Sequence, residues 1–444
     1  MKALKVILII FVVLAALLGV GGWYVNRYVQ SPEFKAQVLA AATKATGTSV
    51  EIAEMKVSIF SGIELRGVTI ANSAEFSGNF LTAKAFTLRY NLWSLLHQRI
   101  DVETLVLDTP FITLAKNAKG AWNYDKLGGP TEKVKASTTT PKPSAGKFDL
   151  SLQRVEMNNA SVVMLKDGGK ELLRIQDATF ASSIHLEAGK ISGSGRASIA
   201  LVNAANSLLI LNVATPVTLT AEAVKLAPIT GKIADGDLTG DAALSLAGDS
   251  TYSVTLHVKD AAIVTLFKEA GVAKQIFSSG KLQLNTALTG TGGLETIVGT
   301  GKMEITGGQL VDIPLLSMIG GLLQIPALQK LKFDECLVEF SISNNVMVTP
   351  VISLKSSQVQ IIGNGSVSLA DYSLNHTLTL ALAAGALDHT PKEIRNVFTQ
   401  RADGFYTLDF KVWGPYDAPK TDLSKKLLKG ATDQLLEKGL KFLK

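Results

Sequence analysis

The feature that most constrains this chain is a period of two. From Thr48 onward apolar residues recur at alternate positions in short bursts: Val50 and Ile52, Val57 and Ile59, Ile63 and Leu65, Val68 and Ile70. Successive side chains of a β-strand point to opposite faces, so this alternation makes a strand with one apolar and one wet face. The same pattern returns in Val217 to Ala221, Ala242 to Leu246, Tyr252 to Leu256, Leu282 to Asn285, Val359 to Ile362 and Leu374 to Leu382. Leu, Ile and Val occupy one face; Ser, Thr, Asn and Lys occupy the other. That is the signature of an antiparallel sheet solvated on one side, and it makes the chain mainly β.

Turn chemistry separates the strands. Gly62 and Gly67 punctuate the first ones as bulges or tight turns, and Pro110 ends one ladder before Phe111 to Leu114 begins the next. Asn117 to Gly120 reads as a hairpin turn ahead of Trp122 and Tyr124, and Lys166-Asp-Gly-Gly169 is a clear hairpin signal. An apolar turn of helix (Leu92, Trp93, Leu95, Leu96) interrupts the strands before Ile100 to Leu107.

Helical signals are few. Ser31-Pro32-Glu33 has the form of a helix start, with Ser at the N-cap and Pro at N1, and Phe34, Val38, Leu39 and Ala42 follow at helical spacing up to Gly47. Ala261 to Phe277 forms a second helical interruption. A third, Pro314 to Leu331, is almost wholly apolar; it is too short to span a bilayer and reads either as a plug packed on the sheet or as a lid or interfacial helix. At the end, Thr421 to Lys444 predicts an amphipathic helix with Leu423, Leu427, Ala431 and Leu435 in a stripe. Opposite that stripe stand Lys425, Lys426, Lys429, Lys438 and Lys441, a face that suits either solvent above a capped sheet or anionic lipid headgroups.

The first residues are of another kind. Leu4 to Val25 is apolar once Lys5 is passed, and a run of about 20 such residues covers a ~30 Å hydrocarbon core. The run exceeds the ~7–15 residues of a signal-peptide core, so it reads as an uncleaved anchor, with Trp23 and Tyr24 at one interface. Lysines on both sides nearly balance the orientation count. The single span followed by one long chain places the body on the outer side.

Within the 444 residues, Gly128 to Lys147 (GGPTEKVKASTTTPKPSAGK) has no apolar periodicity and reads as a linker. The expected organisation is therefore an anchor over 1–30, a β domain over 31–128, a linker over 129–147, a β-rich region over 148–415 and the terminal helix over 416–444. The net charge of +6 is concentrated in the linker and the terminal lysines, leaving a nearly neutral middle without a basic, aromatic-interleaved stripe. That excludes nucleic acid as the expected partner.

No catalytic, cofactor or metal motif appears. One cysteine, Cys336, excludes an internal disulfide and a cysteine-based zinc site. The histidines His97, His185, His257, His376 and His389 lack metal-ligand spacing, and no Gly-x-Ser-x-Gly elbow occurs. Gly-x-Gly pairs at Gly193, Gly290, Gly299 and Gly363 read as hairpin punctuation and not as phosphate loops. A nucleotide-binding reading of Gly301-Lys302 fails because Met303 stands where a magnesium-binding Ser or Thr belongs. Asp235-Gly-Asp237 lacks the rest of a calcium loop and reads as a turn.

The order of an anchor, TGTSVEIAEMKVSIFSGIELRGVTIANS, a strand pair split by NLWSLLHQRI, and VETLVLDTPFITLAKNAKGAWNYDKL resembles the N-terminal part of the AsmA family of bacterial envelope proteins. The most specific piece is Pro110 to Asn123, a Pro-led apolar strand followed by Asn-x-x-Gly-x-Trp-Asn. Gly299 to Leu316 and Gly363 to Leu382 resemble the family's C-terminal region, with Asn344-Asn345 where relatives often carry Gly. The resemblance implies a relative of chorein-type bridge-like lipid-transfer proteins, with elongated antiparallel β-structure curled into an apolar groove. It implies a single-pass inner-membrane protein with its body in the periplasm of a Gram-negative-type bacterium. The expected partners are phospholipid or another envelope lipid, the membrane itself and envelope proteins; no cofactor is expected. Groove candidates are Ile63, Leu65, Val68, Ile70, Leu88, Val102, Leu105 and Leu107. The rival reading is a non-enzymatic scaffold that supports outer-membrane protein assembly, its sheet closed on its own core.

Overall fold

A computed structural model of the chain describes residues 31–58, 62–91, 99–125, 127, 149–187, 190–205, 207–246, 250–272, 276–292, 296–388 and 390–427. The expected anchor, the helical turn at 92–96, the linker and the end of the terminal helix lie outside them. No helix among the described residues is long and apolar enough to cross a membrane.

The described chain is mainly β: its strands belong to one sheet of 21, antiparallel in nearly every pairing, with few helices. By contacts it divides into two compact units, one of Met1–Gly231 with Ala243–Gly248, the other of Lys232–Ala242 with Asp249–Lys444.

The first unit opens with α1 (Pro32–Thr46). Ser31 caps it as the sequence predicts, its hydroxyl accepting from the Phe34 N–H at 3.2 Å, and Gly47 ends it in the left-handed region at φ 72°. Strands β1 (Val50–Ser58), β2 (Gly62–Ala71), β3 (Asn79–Asn91), β4 (Arg99–Asp108) and β5 (Phe111–Ala115) follow. Next come β6 (Asp149–Leu165), β7 (Glu171–Glu187), β8 (Lys190–Ala204), β9 (Leu208–Leu219) and β10 (Ala223–Ile233). Two pairings depart from the antiparallel rule: β4 and β5 both run parallel to β6. A parallel neighbour needs a long return of the chain, and residues 116–148 supply it.

The sequence motif at Pro110 to Asn123 proves to be a staple on this return. The Asn117 side chain accepts from the Lys119 and Ala121 N–H groups, each at 3.0 Å, and Lys116 bridges Trp122. Asn123 is fully buried. Its Oδ1 accepts from Ala115 N–H at 3.0 Å while its Nδ2 donates to Thr113 O at 2.7 Å and Asn72 Oδ1 at 2.8 Å. The amide thereby saturates the end of β5.

A crease crosses β1 to β9. In register stand Ala53, Gly67, Lys84, Thr109 and Asn159 from β1 to β6, and Asp177, Ala200 and Asn212 from β7 to β9, with a register shift between β6 and β7. Five of these are left-handed, at φ values of 58° for Gly67, 49° for Thr109, 51° for Asn159, 51° for Asp177 and 52° for Asn212. Asn and Asp tolerate this region because their short polar side chains bond locally. At the crease the inward set shifts by one residue. On β2 it passes from Ile63 and Leu65 to Val68 and Ile70, while the pairing register with β1 and β3 is unchanged.

In the second unit, β11 (Gly236–Ser245) and β12 (Thr251–Ala262) precede α2 (Ile263–Glu269), then β13 (Phe277–Thr291) and β14 (Val298–Val311). The helix predicted over Ala261 to Phe277 is thus only its middle, because β12 and β13 claim the ends. α3 (Pro314–Leu323) comes next, followed by a 3₁₀ turn at Pro326–Leu328. Then come β15 (Lys330–Ser343), β16 (Val346–Lys355), β17 (Val359–Ser368) and β18 (Ser373–Ala383). The short α4 (Lys392–Arg395) leads to β19 (Thr399–Gln400), β20 (Phe405–Pro415) and β21 (Lys420–Thr421). Asn344 and Asn345 turn the β15–β16 hairpin at φ 50° and 59°, taking the left-handed conformation that Gly would otherwise supply.

Candidate functional site

In the first unit the inward face begins sealed. Phe34 and Val38 of α1 pack with Ile52, Val57, Ile63, Leu65, Leu88, Val102, Leu105 and Leu152 into one buried cluster. Leu88 is 1% exposed and Val102 2%. Of the groove candidates, five therefore lie in a closed core under α1, with Val68 packed against it. Ile70 joins a smaller cluster with Phe80 and Leu127, which Tyr124 flanks. Leu107 is half-buried.

Further along, the same kind of face is less covered. Leu186 on β7, Ile191, Ile199 and Val202 on β8, and Ile210 and Val213 on β9 are half-buried, while the outward Ser192, Ser194 and Ser198 are exposed. These aliphatic groups stand in register: Leu186 pairs Ile191 and Ile199 pairs Val213. Sequence reasoning placed no candidate here, although its alternation rule describes β8 well.

In the second unit α3 lies on the inward face. Ile319 is 1% exposed and Leu323 is fully buried, together with Leu328, Leu331, Leu380 and Leu382. The helix is fastened at its C-terminal end, where the buried Thr390 hydroxyl donates to Leu323 O at 2.6 Å. Between α3 and the strands remains a cavity of ≈ 200 Å³. Ile313, Leu316 and Ile319 line it from the helix side; Leu310, Ile361, Leu378, Leu380 and Phe410 line it from β14, β17, β18 and β20, and Leu423 completes the lining. Every lining side chain is apolar.

Of the four Gly-x-Gly pairs, Gly290 and Gly292 run into the β13–β14 hairpin as the sequence reading expected, with Gly292 at φ 75°, and the other three do not. Gly193 and Gly195, Gly299 and Gly301, and Gly363 and Gly365 are inside β8, β14 and β17 on the inward face. Each makes room for a cross-strand neighbour. A Cβ on Gly301 would meet the Phe340 ring at 2.2 Å, and one on Gly365 would meet His376 Cδ2 at 2.5 Å.

Polar groups on these faces are few and paired. His376, half-buried on β18, lies over Gly365 and reaches Thr349 on β16, its Nε2 3.2 Å from the threonine hydroxyl; burial holds its pKa below the ordinary value. His185 Nδ1 meets Ser151 at 3.2 Å and His257 Nδ1 meets Asn285 at 2.7 Å, while His97 and His389 are outside the described residues. Cys336 faces inward opposite Ile305 and Leu354, and burial, with Glu335 beside it, pushes its thiol up to about 11. Among the described residues no three His, Cys, Asp or Glu side chains gather as metal ligands.

The predicted terminal helix starts at 423, with Leu423 and Leu427 fully buried. Lys425 is exposed. Lys426 is engaged instead, donating to Asp409 O at 2.8 Å and pairing with Asp422 at 3.1 Å. Lys429, Lys438 and Lys441 lie outside the described residues.

The sequence from residue 1 to residue 295 matches the family described as YhdP protein. The chain belongs to the YhdP family. YhdP proteins are AsmA-like, in keeping with the resemblance read from Pro110 to Asn123. The YhdP match takes in α1, the staple and the half-buried faces of β7 to β9, and ends before β14, so α3 and its cavity lie beyond it. No curated protein and no solved structure matches the chain.

Proposed function

We propose that this protein holds the acyl chains of envelope lipids against the inward faces of its sheet and contributes to lipid transport or lipid homeostasis of the outer membrane, without catalysis and without a cofactor. The observation that carries this reading is the half-buried aliphatic face of β7 to β9, where Leu186, Ile191, Ile199, Val202, Ile210 and Val213 form a surface neither sealed nor wet. Hydrocarbon on such a surface is stabilised by about 25 cal/mol per Å² removed from water, so several buried methylenes outweigh the cost of ordering them. Membership of the YhdP family and a mainly β chain support it. In this proposal Leu4 to Val25 anchors the chain in the inner membrane and the body occupies the periplasm.

A second reading, a scaffold whose sheet is closed on its own core, draws on the sealed cluster under α1. Leu88 and Val102 have no surface to offer a ligand. The two readings separate by photocrosslinking. With a benzophenone amino acid at Ile199 or Val213, lipid adducts are expected; at Leu88 none are. Absence of adducts at every half-buried position, together with a lipid-free purified protein, would overturn the transport reading and leave the scaffold.

A further inference from the structure

The second unit carries an arrangement that an extended apolar face alone does not require. Three rows of inward side chains run across β16, β17, β18 and β20. In the first, Leu354, Ile361, Leu380 and Leu408 are in register; in the second, Ile352, Gly363, Leu378 and Phe410; in the third, Thr349, Gly365, His376 and Val412. The first two rows supply the strand side of the cavity under α3. The third is its polar border, one pleat repeat or about 6.8 Å further along the strands.

We propose that this is a built site for one acyl chain bearing a carbonyl at its head, with the tail in the cavity beneath α3 and the carbonyl at His376. The proposal rests on the lipid-binding reading and names where, within the second unit, one chain ends. A half-open hollow of ≈ 200 Å³ lined only by apolar groups favours hydrocarbon over water. Since an apolar cavity of ~150 Å³ accepts benzene, this one accommodates roughly eight carbons, the terminal part of a chain and not a whole lipid.

At the border, Thr349 is 3% exposed and its hydroxyl occupies His376 Nε2. The ring's Nδ1 has no partner among the described residues. In the neutral ring, with Nε2 accepting from the Thr349 hydroxyl, the proton sits on Nδ1, which then donates to a carbonyl oxygen. Gly365 is what lets the ring lie flat on the strand between its two neighbours, since any Cβ there would strike it. A polar residue would otherwise be costly on this face; its pairing to Thr349 fixes its orientation and so the position of the free nitrogen.

The carbonyl belongs either to a fatty acid or to one ester of a glycerophospholipid, and two probes tell these apart. The full chain in nanodiscs is photolysed with palmitic acid, or with phosphatidylethanolamine, carrying a diazirine near the methyl end of the chain, and adducts are mapped by mass spectrometry. Adducts on α3 or on Leu378 are expected, from the fatty acid if the free acid is the ligand and from the phospholipid if an ester is. Leu378→Trp, which fills the cavity, is expected to reduce these adducts at least tenfold while adducts on β7 to β9 persist. Ile361→Phe serves the same purpose should the larger change unfold the unit. His376→Leu weakens labelling about tenfold at subsaturating probe, and His376→Gln, which keeps a donor, restores part of it. Adducts on β7 to β9 with none in 310–423, or labelling of α3 undiminished in the filled variants, overturn the site and leave the general reading standing. No adducts anywhere overturn both.

Discussion

Asn123 is the residue whose removal tests most directly how the Pro110 to Asn123 motif works. Its side chain is fully buried and makes three hydrogen bonds, two of them to backbone groups of β5, Ala115 N–H and Thr113 O. Asn123→Ala leaves those two groups without partners in a site from which water is excluded. Each orphaned buried group costs about 1–3 kcal/mol, so the variant is expected to lose about 2–6 kcal/mol. Asn72, half-buried at the edge, can turn to water and adds little. Since 1.36 kcal/mol is tenfold in an equilibrium, even the lower bound raises amide exchange at Ala115 by roughly thirtyfold if opening of this staple limits it. Asn123→Asp sharpens the test. It keeps the acceptor for Ala115 N–H but sets an ionised oxygen against the Thr113 carbonyl, so the folded state raises the new carboxyl's pKa. Folding then binds a proton, and stability falls as pH rises from the ordinary carboxylate range through that raised pKa, whereas Asn123→Ala is flat over the same window. Hydrogen exchange by mass spectrometry at pH 5 and pH 8 reads both. Exchange at Ala115 within twofold of wild type in Asn123→Ala would refute the account of the motif as a hydrogen-bonded staple.

Other consequences are as direct. Cys336, pushed to about 11 chiefly by burial, is expected to stay protonated and unreactive toward iodoacetamide at pH 8 in the folded protein and to react at once in urea; fast native labelling would contradict its inward placement. Thr390→Val removes the donor to Leu323 O and is expected to cost about 1–3 kcal/mol, read as a lower urea midpoint, with proteolysis around α3 increased. His376 is expected to titrate below the ordinary 6.5, observed by its imidazole carbon shifts. Because the unfolded chain takes up that proton first, stability is complete above pH 6.5 and declines as pH falls toward the folded pKa; His376→Gln removes this part of the dependence.

Much of the architecture was legible because each strand writes its own face. The β-class, the cap at Ser31, the turns at Lys166 to Gly169 and Asn344-Asn345, and the apolar helix at Pro314 all rest on local chemistry, which short windows of sequence contain. What alternation cannot reveal is the cover. Ile63 and Leu65 carry the same pattern as Ile191 and Ile199, yet the first pair is sealed by Phe34 and Val38 and the second is not. The distinction is made by a helix that packs on the face from elsewhere in the chain. Three of the glycine pairs misled for a related reason: a Gly inside a strand and a Gly in a turn look alike until the neighbour lying across it, Phe340 or His376, is known. The parallel approach of β6 to β4 and β5 is equally non-local, and the pairing of His376 with Thr349 spans two strand boundaries.

The crease from Gly67 to Asn212 has a consequence for how such a sheet can be lengthened. It sets one height from β1 to β6 and another from β7 to β9, with left-handed Gly67, Asp177 and Asn212 standing opposite Ala53, Lys84 and Ala200, which are not left-handed. A hairpin duplicated into this region would keep its apolar face inward only if one of its two strands brought an Asn, Asp or Gly to that level; shifted by one residue, it would present its polar face where Ile and Val belong. The line of left-handed residues is thus a ruler against which each added strand is measured, and Asn159→Val, which puts a β-branched residue where φ is 51°, tests the setting as a lowered urea midpoint.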